Sequence, residues 1–132
     1  MKPTLIPGLT TTKTITVDEP RVISFMGDDC RVYATPRIIG DLEYTCRDFL
    51  LAHLDPGEDS VGTRVNWEHV GPALLGAEVT ISVKVAGVDG RRVTFEASVA
   101  EGADDVARGT HERFIVDVQK LRERLLKKAQ RR

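Results

Sequence analysis

One long helix with an apolar stripe, in a chain that is otherwise mostly strands, limits most strongly how this sequence can fold. The side chains of the stripe recur at helical spacing: Ile38, Ile39, Leu42, Cys46, Phe49, Leu50 and His53. Thr35-Pro36 predicts its start, because Thr is a good N-cap and Pro is favoured at the first helical position. Asp55-Pro56-Gly57 predicts its end, so we expect a helix over residues 36–54.

The segments around this helix alternate apolar and polar residues, as strands with one buried face do. The Thr-rich segment 9–17 predicts an edge strand ahead of the helix. After the helix, the same alternation predicts four more strands, at 61–69, 79–85, 93–99 and 106–116. Asp89-Gly90 predicts a tight hairpin between the second and third of these. In the first of the four, one face is predicted to carry Val61, Val65, Trp67 and His69.

This order of elements predicts an α+β fold in which an antiparallel sheet wraps around one long central helix, the hot-dog architecture. A basic amphipathic helix with Val118, Leu121 and Leu125 closes the chain, and its cations indicate a solvated face. At 132 residues we expect a single domain over 1–132. One helix cannot cover the whole face of a five-stranded sheet, so we expect a homodimer or a larger homo-oligomer.

Charge and cysteine content exclude several classes of protein. The net charge is −1, so overall electrostatics do not favour binding to nucleic acid or to a membrane. Cys30 and Cys46 are too few for a disulfide framework and lack CxxC spacing. The sequence contains no signal-peptide-like apolar region and no apolar run long enough for a bilayer, so we expect a cytoplasmic protein.

Thr35, Glu43 and His69 form the most suggestive chemical pattern. A hydroxyl at a helix start, a carboxylate beside the apolar stripe and an imidazole on the apolar face of a strand are the components of a hydrolase. Each also has an ordinary explanation. The ordinary role of Thr35 is an N-cap, that of Glu43 is a solvated residue at the rim of the stripe, and that of His69 is a core or strand-end histidine.

The other polar candidates are weaker. His53 suits the C-terminal end of the helix, and His111 lines a site or simply fills a strand face. The histidines form no i,i+4 pair and have no cysteine partner at metal spacing, so no metal site is expected. Gly62, inside a strand, indicates either a bulge or the close approach of another backbone or a ligand.

Four segments of the chain resemble the fluoroacetyl-CoA thioesterase family of hot-dog proteins: VYATPRIIGDLEYTC (32–46), LDPGEDSVGTRVNWEHVGPALLG (54–76), VDGRRVTFEASV (88–99) and GTHERFIV (109–116). The resemblance implies a thioesterase that converts a small or medium acyl-CoA to the free acid and CoA. It implies that Thr35, Glu43 and His69 are catalytic, and that Gly62 and Arg113 contact the substrate. No cofactor is expected, because CoA is part of the substrate.

The resemblance also implies a separate catalytic role for each of the three residues. His69 would be the general base, Glu43 would orient its imidazole, and Thr35 would attack the thioester or position water. The phosphates of CoA need cations, for which Arg91, Arg92 and Arg113 are candidates. Pro36 follows the threonine where fluoroacetate-specific members are expected to carry glycine, and Gly27-Asp28-Asp29 replaces an expected aromatic segment. The acyl group is therefore left open.

Three rival interpretations remain at this stage. A hot-dog hydratase acting on acyl thioesters would share the fold and the substrate class. A non-catalytic acyl-CoA-binding protein would bind the ligand without turning it over. A purely structural dimer would not bind CoA at all.

Overall fold

The computed structural model describes residues 1–132, which form five strands, two α-helices and a short 3₁₀ turn at Glu19–Arg21. The strands are β1 (Thr10–Thr16), β2 (Glu58–His69), β3 (Glu78–Asp89), β4 (Arg92–Glu101) and β5 (Asp104–Asp117). The helices are α1 (Thr35–Leu51) and α2 (Val118–Gln130). All strands pair antiparallel in the order β1-β3-β4-β5-β2, which confirms the predicted sheet and the edge position of β1.

The core lies between α1 and one face of the sheet. The helix buries one stripe, and β3 and β4 bury alternate residues as predicted, so the buried apolar positions include Ile38, Leu42, Cys46, Leu50, Val79, Ile81, Val83, Val85, Val93, Phe95 and Val99. Removing these side chains from water is the main force that holds the helix against the sheet. Neither helix is long and apolar enough to span a bilayer.

The ends of α1 differ from the prediction. Ala34, in extended conformation, is the N-cap, and Thr35 is the first helical residue, so the expected capping role of Thr35 is wrong. Ala34 is held because its N–H donates to the carbonyl of Arg21 at 2.8 Å. The helix ends at Leu51 rather than residue 54, because the next residues form tighter bonds, including His53 N–H to the Leu50 carbonyl at 2.9 Å. The hydroxyl of Thr35 is thereby left free for another partner.

A buried side-chain cluster holds the loop before α1 against the helix. Arg21 donates to both carboxylate oxygens of Asp41, at 2.8 and 3.0 Å. The buried Tyr33 hydroxyl donates to the same carboxylate. Burial, reinforced by Asp41, raises the pKa of the Tyr33 phenol, so the hydroxyl remains a donor. This cluster positions the residue that begins α1.

A bulge in β2 overturns one sequence expectation. Gly62 pairs with Arg113 and Arg64 pairs with Glu112, which leaves Thr63 as an extra residue. Val61 consequently lies opposite Phe114 on the outer face, whereas Val65 and His69 lie on the face that carries α1. The single apolar face predicted for Val61, Val65, Trp67 and His69 is therefore wrong for Val61.

Truncating the centre of the helix stripe should destabilise the fold far more than truncating an exposed leucine. Leu42 is 0% exposed and Leu126 is 61% exposed. We expect Leu42→Ala to lower the free energy of unfolding by about 2–5 kcal/mol because it leaves a cavity. The matched change Leu126→Ala should cost less than about 0.5 kcal/mol. Urea unfolding measures both, and similar losses would contradict this assignment of the core.

Candidate active site

The structure brings Thr35 and His69 together. Thr35 begins α1 and His69 ends β2, and the Thr35 Oγ1 atom lies 2.8 Å from the His69 Nδ1 atom. Both residues are exposed, and of the two ordinary explanations for His69 the structure shows the strand-end position, on the face that carries the helix. The contact pairs a hydroxyl with a ring nitrogen that can accept its proton.

The first turn of α1 adds one free backbone donor to this pair. The N–H groups of Arg37 and Ile38 both donate to the Ala34 carbonyl, at 2.9 and 3.0 Å. Pro36 has no N–H, and the N–H of Thr35 makes no hydrogen bond within the chain. A hydroxyl, an imidazole and a free N–H therefore lie together at the positive end of a helix dipole, which favours a developing negative charge.

Glu43 does not join this pair within the chain. It lies eight residues after Thr35, which corresponds to about 12 Å along an α-helix. Its side chain is 42% exposed, and its Oε1 atom lies 3.4 Å from Nη1 of Arg113. A small open cavity of about 220 Å³ is lined by Glu43, Tyr44, Arg47 and Arg113. Glu43 thus sits at the rim of the stripe, and His69 has no carboxylate partner from its own chain.

Arg113 is a buried cation whose donors are already engaged. It is 5% exposed. Its Nε and Nη2 atoms donate to the hydroxyl and carbonyl oxygens of Ser60 at 2.7 and 2.8 Å, and Nη1 lies 3.2 Å from the Nε2 atom of His111. Burial lowers the pKa of Arg113, and Glu43 opposes that shift. Arg113 can therefore contact a substrate only on the side that faces Glu43. Because it is buried and its donors are engaged, it does not suit the binding of a CoA phosphate.

His111 is held as a neutral imidazole beneath this arginine. Its Nδ1 atom donates to the Arg64 carbonyl at 2.7 Å, which leaves Nε2 to accept from Arg113. Burial lowers the pKa of His111, and the positive charge of Arg113 acts in the same direction. A charged imidazole here would face the guanidinium at hydrogen-bond distance, so the neutral tautomer is the one that fits.

Gly62 leaves room for Glu43 beside Arg113. A Cβ atom at this position would lie 2.5 Å from Glu43 Oε1, 3.2 Å from His111 Cε1 and 3.4 Å from Arg113 Nη1. The sequence indicated either a bulge or the close approach of another backbone or a ligand at Gly62, and the structure contains the bulge. The groups that approach Gly62 are side chains of the same subunit. The residues Glu43, Ser60, Gly62, His111 and Arg113 are called the carboxylate cluster below.

Arg91 and Arg92 contact neither the Thr35–His69 pair nor the carboxylate cluster. Arg91 pairs with Glu58 at 3.2 Å, at the opposite end of β2 from His69. Arg92 pairs with Glu112 at 2.6 Å, and both residues lie on the outer face of the sheet.

Sequence reasoning missed Ser60 and the Asp41 cluster. Ser60 is a buried hydroxyl opposite Ile115, just ahead of the segment 61–69 that the sequence predicted as a strand. The only available signal was that Ser60 and Gly62, two residues apart in one strand, lie on the same face of the sheet. Asp41 lies on the helix beside the apolar stripe, where an acidic residue is ordinarily solvated.

Comparisons of this chain with a family model, a curated relative and solved structures all match fluoroacetyl-CoA thioesterases. The family model described as fluoroacetyl-CoA-specific thioesterase matches residues 17–119. A fluoroacetyl-CoA thioesterase of Streptantibioticus cattleyicolor is 32% identical over 97 residues, which cover 74% of this chain and 70% of that protein. A solved structure of a fluoroacetyl-CoA thioesterase has a TM-score of 0.84 at 26% identity, covering 94% of this chain and 97% of that one.

More distant structures agree on the fold. A hot-dog-like protein from Thermanaerovibrio acidaminovorans has a TM-score of 0.85 at 24% identity and covers 92% of this chain and 91% of its own. A thioesterase superfamily member from Thermus thermophilus has a TM-score of 0.86 at 23% identity, and the match covers 95% of this chain and 93% of that one. The fold is therefore the hot-dog fold, as the order of elements predicted.

The neutral His111 should make the stability of the protein depend on pH. Because its pKa is lowered below 6.5 in the folded state, the unfolded chain binds the proton more readily. We expect the neutral His111 to contribute fully to the free energy of unfolding above pH 6.5, and this contribution to be lost as the pH falls toward the pKa of His111 in the folded state. Urea unfolding between pH 5 and 7.5 gives the free energy of unfolding at each pH. This free energy should rise less steeply with pH for His111→Gln than for the wild type. Equal slopes would contradict a buried neutral imidazole.

Proposed function

This chain belongs to the family of fluoroacetyl-CoA-specific thioesterases, and we propose that it hydrolyses a small or medium acyl-CoA with Thr35, Glu43 and His69 as its catalytic set. The observation that carries the proposal is the 2.8 Å contact between Thr35 Oγ1 and His69 Nδ1 at the start of α1. A small acyl group is the natural first substrate class, because the Streptantibioticus cattleyicolor relative is a fluoroacetyl-CoA thioesterase.

The proposed chemistry uses groups already in contact. His69 accepts a proton from Thr35, or from a water molecule that Thr35 positions, as the new C–O bond forms at the thioester carbonyl. The free N–H of Thr35 stabilises the oxyanion. When the C–S bond breaks, the imidazolium returns its proton to the departing thiolate of CoA. On the covalent route a water molecule then adds to the acyl-threonine ester and gives a proton to His69; the ester C–O bond breaks, the acid is released, and His69 returns that proton to the Thr35 oxygen. Neither the covalent route nor the water route requires a metal.

In the mechanism proposed here, Glu43 assists His69 from a second copy of the chain. Within one subunit the carboxylate faces Arg113, and about 12 Å of helix separates it from Thr35. We therefore propose a homodimer in which Glu43 of the partner subunit receives the Nε2–H of His69. This arrangement leaves Nδ1 for Thr35, and the carboxylate holds the imidazole in the required tautomer.

The free edge of the sheet supports this dimer. Strand β2 is the outer strand next to β5, so one of its edges has no partner strand. Val61 and Val65 within β2, and Val70 directly after it, are 40–42% exposed. An exposed edge with apolar side chains readily pairs with another strand.

A two-fold axis near Val65 would bring the halves of the site together. Two copies of β2 then run antiparallel, with the His69 end of one beside the Gly62 end of the other. Gly62 adjoins Glu43 in its own subunit, so each His69 meets the carboxylate cluster of the partner subunit. Two equivalent active sites result.

Removing the imidazole should abolish hydrolysis. We expect His69→Ala to lower kcat/KM by about 10²–10⁴, because a positioned general base contributes that much to a proton-transfer step. Thiol release from a panel of acyl-CoA substrates measures the effect, with His53→Ala as the control because His53 contacts Thr4 instead. Near-wild-type activity of His69→Ala on every substrate hydrolysed would refute the assignment.

Mixed dimers can test whether Glu43 acts across subunits. His69→Ala and Glu43→Gln chains, given different tags and co-expressed, yield heterodimers in which one site carries both changes and the other carries neither. We expect purified heterodimers to regain about half of the wild-type activity, whereas each homodimeric variant stays inactive. Heterodimers as inactive as the parents would show that Glu43 and His69 act within one subunit.

A further inference from the structure

We infer that α2 docks on the surface of a membrane that contains anionic phospholipids, an inference that does not depend on the proposed thioesterase function. The helix comprises Val118–Gln130, and none of its residues is buried. An isolated helix this short is marginal in water, so most helices of this length gain stability by burying an apolar face. The exposed surface of α2 is therefore available to a partner outside the subunit.

The positive charge of the chain is concentrated in residues 118–132. This segment carries seven Lys and Arg and one acidic residue, Glu123, whereas the whole chain carries 19 Lys and Arg and 20 Asp and Glu. The residues before α2 therefore carry an excess of carboxylates, and the net charge of −1 conceals two regions of opposite sign. No cation of α2 lies within 4.0 Å of a carboxylate, so its charge is not neutralised within the subunit.

The helix turns a charged face toward the sheet and its leucines away from it. Lys120, Arg124 and Lys127 line a groove of about 460 Å³ between α2 and β5. At about 100° per residue, Leu125 and Leu126 lie on the other side of the helix. They are 55% and 61% exposed. An amphipathic helix that only stabilises its own fold places its apolar face on the core, so these leucines are placed for an apolar environment outside the subunit.

Cations are interspersed with these leucines on the outward side. Around the helix axis, Arg122 lies between the directions of Leu125 and Leu126, and Lys128 lies beyond Leu125. Long Lys and Arg side chains can lay their methylene groups along an apolar phase while their charged ends reach lipid phosphates. Clusters of about four to eight Lys and Arg on an amphipathic helix are typical of binding to anionic lipids. Residues 118–132 match this pattern.

Charge and shape together favour a lipid surface over other anionic partners. A nucleic acid would pair with the cations and leave the leucines in water. A groove on an acidic protein requires apolar anchors along one narrow stripe of the helix. Val118 and Leu121, which would complete such a stripe, are partly covered within the subunit, and the two exposed leucines point about 100° apart. A broad, fluid surface accommodates side chains that diverge in this way.

Flotation of the full chain with phospholipid vesicles tests the inference. Vesicles of equal parts phosphatidylglycerol and phosphatidylcholine present an anionic surface, and vesicles of phosphatidylcholine alone present a neutral one. Two variants alter the outward side of α2. Arg122→Glu/Lys128→Glu reverses its charge, and Leu125→Ser/Leu126→Ser removes its exposed apolar side chains.

A matched control makes the same change in net charge elsewhere. Lys2→Glu/Lys13→Glu replaces two exposed cations that lie outside α2. Thermal unfolding checks that every variant is folded, which we expect because all of the replaced residues are exposed. Flotation is repeated at raised salt, which screens exposed charges.

We expect the wild type to float with the anionic vesicles and not with the neutral ones, and to be released by salt. Each α2 variant should bind at least about tenfold more weakly, because every cation near an anionic surface and every inserted leucine multiplies the partition coefficient several-fold. The control variant should bind within about twofold of the wild type, since charges farther than a Debye length from the bilayer are screened.

Binding of the wild type that is absent, equal for both kinds of vesicle, or lost equally in the control variant would overturn the inference. A leucine variant that binds as tightly as the wild type would also overturn it, because charge alone would then explain the attachment. Fluorescence anisotropy with a labelled oligonucleotide and with labelled polyglutamate covers the other anionic partners. Tighter binding of the wild type to either of these than to the anionic vesicles, at the same salt concentration, would show that the partner is not a membrane.

Discussion

The packing of one helix against one face of the sheet is the constraint on which the other features depend. Burial of the α1 stripe determines how the helix lies across β2, β3 and β5, and so where its first residue meets the sheet. The Arg21–Asp41–Tyr33 cluster then fixes the loop that leads into the helix. Because Ala34 rather than Thr35 caps the helix, the Thr35 hydroxyl is available to His69.

A second constraint comes from the buried guanidinium of Arg113. A charge that is 5% exposed is tolerated only when its donors are satisfied. Ser60 supplies two acceptors, His111 supplies a third and Glu43 supplies the counter-charge. Gly62 has no side chain because the Glu43 carboxylate occupies that space. The identities of these residues are therefore interdependent, although they come from three different elements of the fold.

Much of the fold could be predicted because its signals are local. The helical spacing of Leu42, Cys46 and Leu50 and the alternation in β3 and β4 reflect burial on one face, which periodicity reports directly. The bulge at Thr63 could not be predicted in this way. Gly62 indicated a bulge as one of two explanations, but only the pairing with β5 shows that an extra residue places Val61 and Val65 on opposite faces of the sheet.

The candidate site was predictable in part, for a related reason. Residue type and helix position drew attention to Thr35 and His69, and the structure brings them into contact. Sequence spacing could not reveal that Glu43 faces Arg113, because that contact joins residues separated by 70 positions. It also could not reveal the acceptors that Ser60 provides, since a serine near a turn is ordinarily solvated.

The separation of Thr35 from Glu43 along α1 has a consequence for how such a protein behaves in the cell. Each subunit carries the contact between Thr35 and His69 at one end of β2 and the Glu43 carboxylate, which faces Arg113, toward the other. In the homodimer proposed above, a single subunit lacks the carboxylate that its His69 would use. On that proposal, mass action couples the rate per molecule to the abundance of the protein, so dilution or sequestration of subunits would silence the enzyme without any inhibitor.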